Sequence, residues 1–192
     1  ASLYSGGVTK RPIVLFGDPV LSTPAAPITT FNRHTEALIR DLMDTVDAPG
    51  RAGVAAPQIG VGLRAFSYRV DGQIGYVINP EIVELSEEIQ EDGNEGCLSV
   101  PGLWYPTPRA RRAVVKGVDL RNEPVVVAGT GVMARCLQHE TDHLAGKLYL
   151  DRLPPETRRA AMREIRRSPW FLGARETPPS TPSLPSAFGG KF

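Results

Sequence analysis

Two histidines in the second half of the chain stand four positions apart, and a glutamate directly follows the first of them. They belong to the segment His139-Glu140-Thr141-Asp142-His143, an H-E-x-x-H pattern. Side chains four residues apart lie on the same face of a helix, so the two imidazoles can bind one metal ion. Glu140 then lies beside that ion, where its carboxylate can accept a proton from bound water. The pattern predicts a hydrolase that uses a metal-activated water.

A catalytic metal of this kind needs a third protein ligand in addition to an open position for water. Downstream of the pattern the candidates are weak. Tyr149 stands where one protease group has a further ligand, and Glu164 lies in an arginine-rich segment. Upstream, Cys97 and Cys136 are the two cysteines of the chain, and their spacing from the histidines does not choose between them. On these residues alone, a metallopeptidase of the H-E-x-x-H type is an open alternative.

Length and composition narrow the class of protein. The chain has 192 residues, of which 41% are hydrophobic and 22% charged, values typical of a single folded domain. A net charge of +1 argues against sequence-specific nucleic-acid binding, and two cysteines exclude a disulfide framework. No apolar run is long enough for a membrane helix, and the N-terminal segment lacks the apolar core of a signal peptide. We therefore expect a cytoplasmic protein without a membrane partner.

Apolar residues recur at helical spacing in three segments of the chain. They predict helices over residues 32–46, 131–144 and 155–167, the second of which carries the H-E-x-x-H pattern. The remaining histidine, His34, falls on the first helix and is expected at the surface.

Short alternating segments separated by turn residues indicate β-strands. Asp71-Gly72 is a hairpin signal, and residues 121–123 form a second turn. We expect an α+β fold, in which small, mostly antiparallel sheets pack around the helix carrying H-E-x-x-H, with further helices toward both termini. The predicted strands are residues 61–70, 74–79, 82–89, 113–120 and 124–128.

The composition changes near the C-terminus, and this change sets the expected domain boundary. Residues 1–175 are predicted to form a single catalytic domain. Residues 176–192 are rich in proline, serine and glycine and have too few apolar groups to offset their ordering entropy. We expect them to form a flexible tail.

Three segments, in this order along the chain, closely resemble the three motifs of peptide deformylases. They are GVAAPQ at residues 53–58, EGCLSVPG at 95–102 and QHETDHLAG at 138–146. The order of elements resembles that family from about residue 10 to residue 168. Members of that family remove the formyl group from the N-terminal formyl-methionine of new polypeptides, releasing formate, and the resemblance implies a bacterial protein. The resemblance therefore implies a hydrolase that acts on a linear amide.

The resemblance also implies the metal ligands. It assigns them to Cys97, His139 and His143, and it leaves Cys136 as a small buried core residue. A Cys97–Cys136 disulfide is not expected, because Cys97 must be a thiolate to hold the ion. The physiological ion implied is Fe²⁺, with Zn²⁺, Ni²⁺ or Co²⁺ able to take its place.

The remaining catalytic roles follow from the same resemblance. Glu140 carries a proton from the attacking water to the leaving amine. The side-chain amide of Gln58 and the backbone N–H of Leu98 stabilise the tetrahedral oxyanion. Glu95 and Arg109 are expected to form an ion pair that supports the site. A deformylase-like protein that keeps the metal but has lost activity is a second alternative, against which the presence of Glu140 and Gln58 argues.

The substrate is expected to bind as an added strand, a mode in which backbone hydrogen bonds provide affinity. The resemblance places this strand against Gly53, Val54 and Gly96. Two residues depart from the family pattern. Arg51 stands where the first motif has glycine, and Arg135 stands where many relatives have an aliphatic residue near the side-chain pocket. Both departures concern the pocket and its selectivity and leave the chemistry intact.

The third predicted helix lies in a strongly basic segment. From Arg152 to Arg167 there are six arginines and two glutamates, a net charge of +4. This charge would attract ribosomal RNA near the exit of the nascent chain, although an ordinary solvated surface explains it equally well. Formyl-methionyl nascent peptides are thus the expected substrates, and the ribosome is a candidate partner through helix 155–167.

Overall fold

A five-stranded antiparallel sheet and the helix that carries H-E-x-x-H form the centre of the fold. The computed structural model describes residues 10–91 and 93–176. Short 3₁₀ turns lie at Ala56–Ile59 and Tyr149–Arg152. The helices are α1 (Pro19–Ser22), α2 (Arg33–Val46), α3 (Gly131–Leu144), α4 (Pro155–Arg167) and α5 (Pro169–Glu176). The strands are β1 (Gly53–Ala55), β2 (Ala65–Val70), β3 (Gln73–Leu85), β4 (Ile89–Gln90), β5 (Asn94–Cys97), β6 (Val100–Pro106), β7 (Arg109–Ala110), β8 (Arg112–Val118) and β9 (Pro124–Thr130).

The main sheet has the strand order β1-β2-β3-β8-β9, and all neighbours in it are antiparallel. Strand β1 therefore forms one edge of this sheet. Two smaller antiparallel sheets pair β4 with β7 and β5 with β6. The predicted α+β fold with small antiparallel sheets around the H-E-x-x-H helix is confirmed.

Helices α2 and α3 pack on opposite faces of the main sheet. Successive side chains of a strand point to opposite faces. Phe66 and Val77 accordingly belong to the apolar cluster of α3, whereas their neighbours Ala65 and Ile78 belong to that of α2. The two histidines of α3 face β5, where His139 contacts Glu95 and His143 contacts Cys97. Among the described helices, none is long and apolar enough to cross a membrane.

The three predicted helices are present at their expected positions. Helix α3 spans the predicted residues 131–144, and Gly146, with φ of 73°, follows its end in the left-handed conformation that favours glycine. A Cβ at Gly146 would lie 2.9 Å from the backbone of Ser22, so the same glycine also lets the chain pass close to α1. His34 is exposed on α2, as predicted.

The strands differ from the prediction in one important respect. The segments 74–79 and 82–89 were predicted as two strands, but β3 runs unbroken from Gln73 to Leu85. A register shift between Ile78 and Glu81 absorbs the irregularity at Pro80, so pairing with β8 resumes beyond it. Asn79, with φ of 50°, anchors this bulge by exchanging hydrogen bonds of 2.8 and 2.9 Å with the backbone of Ile28.

Several short elements were not predicted. Strands β1, β5 and β6 carry no clear alternation, and the strand expected from residue 61 begins only at Ala65. Helix α5 follows α4 after a break at Ser168, and it packs Phe171 near Phe16 with ring centroids 6.0 Å apart. The predicted tail, apart from Glu176, lies outside the described residues.

Candidate metal centre and active site

Cys97, His139 and His143 bring three metal-binding atoms together in the interior. Helix α3 presents both imidazoles from one face, and β5 ends at the cysteine. The two Nε2 atoms are 3.1 Å apart, and the Cys97 sulfur lies 3.5 Å from Nε2 of His143. All three ligand atoms lie within 4.8 Å of one another, and all three residues are buried. The structure thus places the three predicted ligands in one cluster.

The spacing of these atoms matches the requirements of a tetrahedral ion. A tetrahedral zinc ion has bonds of about 2.0–2.1 Å to imidazole nitrogen and about 2.3 Å to thiolate sulfur. In that geometry, two nitrogen ligands lie about 3.3 Å apart, and a sulfur and a nitrogen ligand lie about 3.5 Å apart. The measured separations of 3.1 and 3.5 Å are close to these values. Two imidazoles and one thiolate leave the fourth position for water. The donor set therefore fits a catalytic divalent metal ion.

The pKa values of His139 and His143 shift in opposite directions. Burial lowers the pKa of His139, but hydrogen bonds with Cys97 and Glu95 more than reverse this and hold it well above its ordinary value. Burial and the facing charge of His139 hold the pKa of His143 well below its ordinary value. A positive charge on His139 therefore disfavours one on His143, and the Nε2 atoms of both rings face the same small space.

Glu140 is buried beside the metal-binding atoms. It is 3% exposed, and its Oε2 has no hydrogen-bond partner among the described residues. Burial raises the pKa of Glu140 to about 7, despite the opposing charge of His139. Gly53 of β1 packs against it so closely that a Cβ there would lie 2.5 Å from Oε1. A carboxylate with this pKa can both accept and release a proton near neutral pH.

Gln58 points its amide nitrogen toward the cysteine ligand. Its Oε1 accepts a hydrogen bond of 3.0 Å from the backbone N–H of Ala55, which fixes the orientation of the amide. Nε2 therefore faces the other way, 3.7 Å from the sulfur of Cys97 and 3.3 Å from Oγ of Ser99. Leu98, the residue after the cysteine, lines the same cleft. The amide of Gln58 thus lies next to the metal-binding atoms, and Leu98 directly follows the cysteine ligand along the cleft.

Glu95 contacts the Nδ1 side of the His139 ring, opposite the Nε2 atom that faces the other metal-binding atoms. Its Oε1 accepts a hydrogen bond of 2.5 Å from Nδ1 of His139 and one of 2.6 Å from Arg109, so the predicted Glu95–Arg109 pair is present. Hydrogen bonds from His139 and Arg109 outweigh burial and keep the pKa of Glu95 well below its ordinary value. Sequence reasoning missed Asp142, which accepts from Arg109 at 2.7 Å and from Arg152 at 2.7 Å. Its position inside the H-E-x-x-H motif was the available signal.

A cleft of about 520 Å³ opens onto these residues. Gly53 and Gly96 both line it, whereas Val54 is fully buried in the apolar cluster of α2 and does not line it, so the predicted contact of Val54 with the substrate is not seen at the wall of the cleft. The exposed indole of Trp104 lies over Gly96, where a Cβ would come within 2.4 Å of the ring. Arg51 lines the cleft but donates to the carbonyl of Thr45 at 2.7 Å.

The other candidate ligands lie outside the cluster. Cys136 is 5% exposed and donates to the carbonyl of Ala52 at 3.4 Å, and burial raises the pKa of its thiol. Both cysteines are free thiols. Glu164 is exposed on α4. Tyr149 is buried and stacks on His139 with ring centroids 6.3 Å apart.

Comparison with known proteins shows the family to which the chain belongs. The polypeptide deformylase family model matches residues 10–159. A peptide deformylase of Acidothermus cellulolyticus is 59% identical over 161 residues, which cover 83% of this chain and 88% of the relative. One of Parafrankia is 49% identical, covering 85% and 89%.

Solved structures give the same result. A peptide deformylase of Legionella pneumophila superposes with a TM-score of 0.76 at 39% identity, covering 88% of this chain and 99% of its own. The Thermus thermophilus enzyme gives a TM-score of 0.75 at 40% identity, covering 82% and 93%. With the family model matching most of the chain and both relatives well above 30% identity, the chain belongs to the peptide deformylase family.

Proposed function

We propose that Cys97, His139 and His143 hold one divalent metal ion, and that Glu140 moves the proton in deformylation. The chain is a metal-dependent hydrolase of formylated nascent polypeptides, as its family membership establishes. The observation that carries the assignment of residues is the convergence of three ligand atoms beside a buried carboxylate whose Oε2 lacks a partner among the described residues.

We propose Fe²⁺ as the physiological ion, with Zn²⁺, Ni²⁺ and Co²⁺ as possible substitutes. Two imidazoles and one thiolate suit all four ions, so the donor set supports the group without selecting within it. When bound, such an ion lowers the pKa of water from about 16 toward about 7 and acts as a Lewis acid.

Three groups of the chain perform the remaining chemistry in this proposal. Glu140 accepts the proton of the attacking water and delivers it to the departing amine, a task suited to its pKa of about 7. The Nε2 group of Gln58 and the backbone N–H of Leu98 donate to the oxyanion. Since loss of one such donor costs about 3 kcal/mol of barrier in other enzymes, their fixed orientation is a substantial part of catalysis.

The peptide is proposed to bind at the edge of β1. It runs as an added strand along the backbone of Gly53, with Gly96 also on the wall of the cleft, whereas the buried Val54 supports Gly53 from within the sheet. The methionine side chain enters the cleft near Val132, which is 59% exposed there. The open edge of β1 and the apolar lining support this arrangement.

We propose residues 1–175 as the catalytic domain.

The basic helix α4 is proposed to contact ribosomal RNA, which would place the enzyme in the cytoplasm beside its nascent substrates. Its five arginines are all exposed, and only Arg158 is ion-paired among the described residues, to Asp151. Co-sedimentation with ribosomes should be released by rising salt, because phosphate contacts are screened. Binding that is absent, or unaffected by salt, would refute this contact.

The decisive test of the reaction uses anaerobically prepared chain loaded with Fe²⁺ or Ni²⁺ and a formyl-Met-Ala peptide. Glu140→Ala should abolish formate release while the metal content stays at one ion per chain. Glu164→Gln, an exposed glutamate on α4, should behave as wild type. Cleavage of an internal peptide bond would favour a metallopeptidase, and the absence of any product would favour a metal-binding protein without activity.

A further inference from the structure

Arg135 reaches the carboxylate that supports His139. It lies on α3 one turn before that histidine, and its side chain is 13% exposed. Although it lines the cleft, its guanidinium turns inward. Nη1 donates to Oε2 of Glu95 at 2.8 Å and to the carbonyl of Thr107 at 2.7 Å. Arg135, which departs from the family pattern, therefore contacts the carboxylate that holds His139 in the metal centre.

With Arg135 in place, Glu95 accepts a full set of hydrogen bonds. Its Oε1 accepts from Nδ1 of His139 and from Nη2 of Arg109, while its Oε2 accepts from Nε of Arg109 and from Nη1 of Arg135. An ionised carboxylate offers about four lone-pair sites, so each is occupied. Glu95 is 4% exposed, so its carboxylate depends mainly on these side chains for hydrogen bonds.

The two arginines hold Glu95 in different ways. Arg109 is shared, because its Nη1 also donates to Asp142 at 2.7 Å. Arg135 is fixed by its surroundings instead. Its guanidinium packs on the backbone of Gly93, where a Cβ would come within 2.1 Å of Nη2. The buried carbonyl of Thr107 holds it from the other side. Arg135 is thus a rigid second contact for Oε2.

We propose that Arg135 is a positioning residue for the metal centre, an inference that rests on the proposed metal ligands. By holding Oε2 of Glu95, it keeps Oε1 on Nδ1 of His139. That contact keeps the proton on Nδ1 and aims Nε2 at the position shared with His143. Without Arg135, the carboxylate is free to rotate toward Arg109 alone, and the imidazole loses its fixed orientation.

The expected effect is on metal retention. Loss of a partner behind a histidine ligand costs about 10–100-fold in metal affinity or activity in other proteins. Because Arg135 acts through Glu95, we expect Arg135→Met to release Co²⁺ to a chelator about 10-fold faster than wild type. The cobalt–thiolate absorption band should shift as the imidazole reorients. Arg135→Lys, which keeps the charge and can donate to both Oε2 and the Thr107 carbonyl, should restore much of the retention.

The test compares Co²⁺-loaded wild type with Arg135→Met, Arg135→Lys, Glu95→Gln and the double variant Arg135→Met/Glu95→Gln. If Arg135 acts through Glu95, the double variant releases Co²⁺ no faster than Glu95→Gln alone. Arg112→Met is the control, since Arg112 forms an exposed ion pair with Glu84 away from the cleft. Thermal unfolding verifies that each variant folds. If Arg135→Met does not fold, Arg135→Gln takes its place in the comparison.

Two results would overturn the inference. One is an Arg135→Met variant with wild-type release rate and absorption band. The other is a change confined to KM for formyl peptides, which would mean that Arg135 lines the cleft and does not position Glu95. A wild-type chain that binds no Co²⁺ through its thiolate would instead refute the proposed metal centre itself.

Discussion

Gly53→Ala places one methyl group against the side chain of Glu140, and we expect it to slow deformylation while the metal ion stays bound. The added Cβ would lie 2.5 Å from Oε1 and 2.7 Å from Cγ and Cδ of Glu140. The closest of these distances is about 0.9 Å short of the 3.4 Å at which ordinary contact begins. Gly53 lies in β1 outside the left-handed region, so alanine meets no backbone strain there.

The size of the effect follows from how far Glu140 must move. Because Gly53 is fixed in β1, the side chain of Glu140 must shift by most of the missing 0.9 Å. Misplacement of a catalytic group by about 1 Å costs about 100-fold in rate, or about 2.7 kcal/mol of barrier. Overpacking also destabilises the folded chain by about 1–3 kcal/mol.

The assay measures kcat and KM for a formyl-Met-Ala peptide, together with metal content and thermal stability. Gly62→Ala is the matched control, because a Cβ there meets no atom within 4 Å and its backbone is also outside the left-handed region. A Gly53→Ala enzyme with kcat within threefold of wild type would refute the reasoning. A loss confined to KM would assign the close contact to the substrate and not to Glu140.

Two further predictions concern the cysteine outside the cluster and the buried carboxylates. Cys136→Ala should retain one metal ion per chain, and a loss of bound metal in elemental analysis would contradict the assignment of Cys97 as the ligand. Burial raises the pKa of Glu95 and Asp142, but hydrogen bonds from His139, Arg109 and Arg152 lower both below the ordinary values of 4.5 and 3.8. Their ionised forms therefore stabilise the fold above these values, and this stability is lost as the pH falls through and below them. The urea midpoint should decrease below about pH 4.5, and less steeply in Asp142→Asn; an equally steep decrease in that variant would show that Asp142 plays no part.

The sequence was most informative where the chemistry and the helical period coincide. His139 and His143 share a helix face by spacing alone, and the apolar residues of α3 fix its bounds, so both were predictable. Cys97 was not selected by spacing, because Cys136 lies closer to the histidines along the chain. Only the resemblance of the segment around Cys97 to a deformylase motif favoured it.

Contacts between distant segments could not be predicted in the same way. The hydrogen bonds of Glu95 join residues 14, 40 and 44 positions away. Arg135 looked like a cleft residue, since its inward turn depends on Thr107 and on the space left by Gly93. The bulge that lets β3 pass Pro80 likewise depends on pairing with β8, which no local pattern reveals.

The free edge of β1 also bears on how the protein avoids self-association. An edge strand that accepts a peptide offers the same N–H and C=O groups to the edge of another copy. Here that edge is only three residues long, and it passes directly into a 3₁₀ turn in which Pro57 has no N–H to donate. The proposed substrate strand would gain contacts with the cleft beyond those of the backbone, whereas the sheet edge of another copy would form too few hydrogen bonds to remain bound. The shortness of β1 therefore disfavours pairing between the sheet edges of two copies.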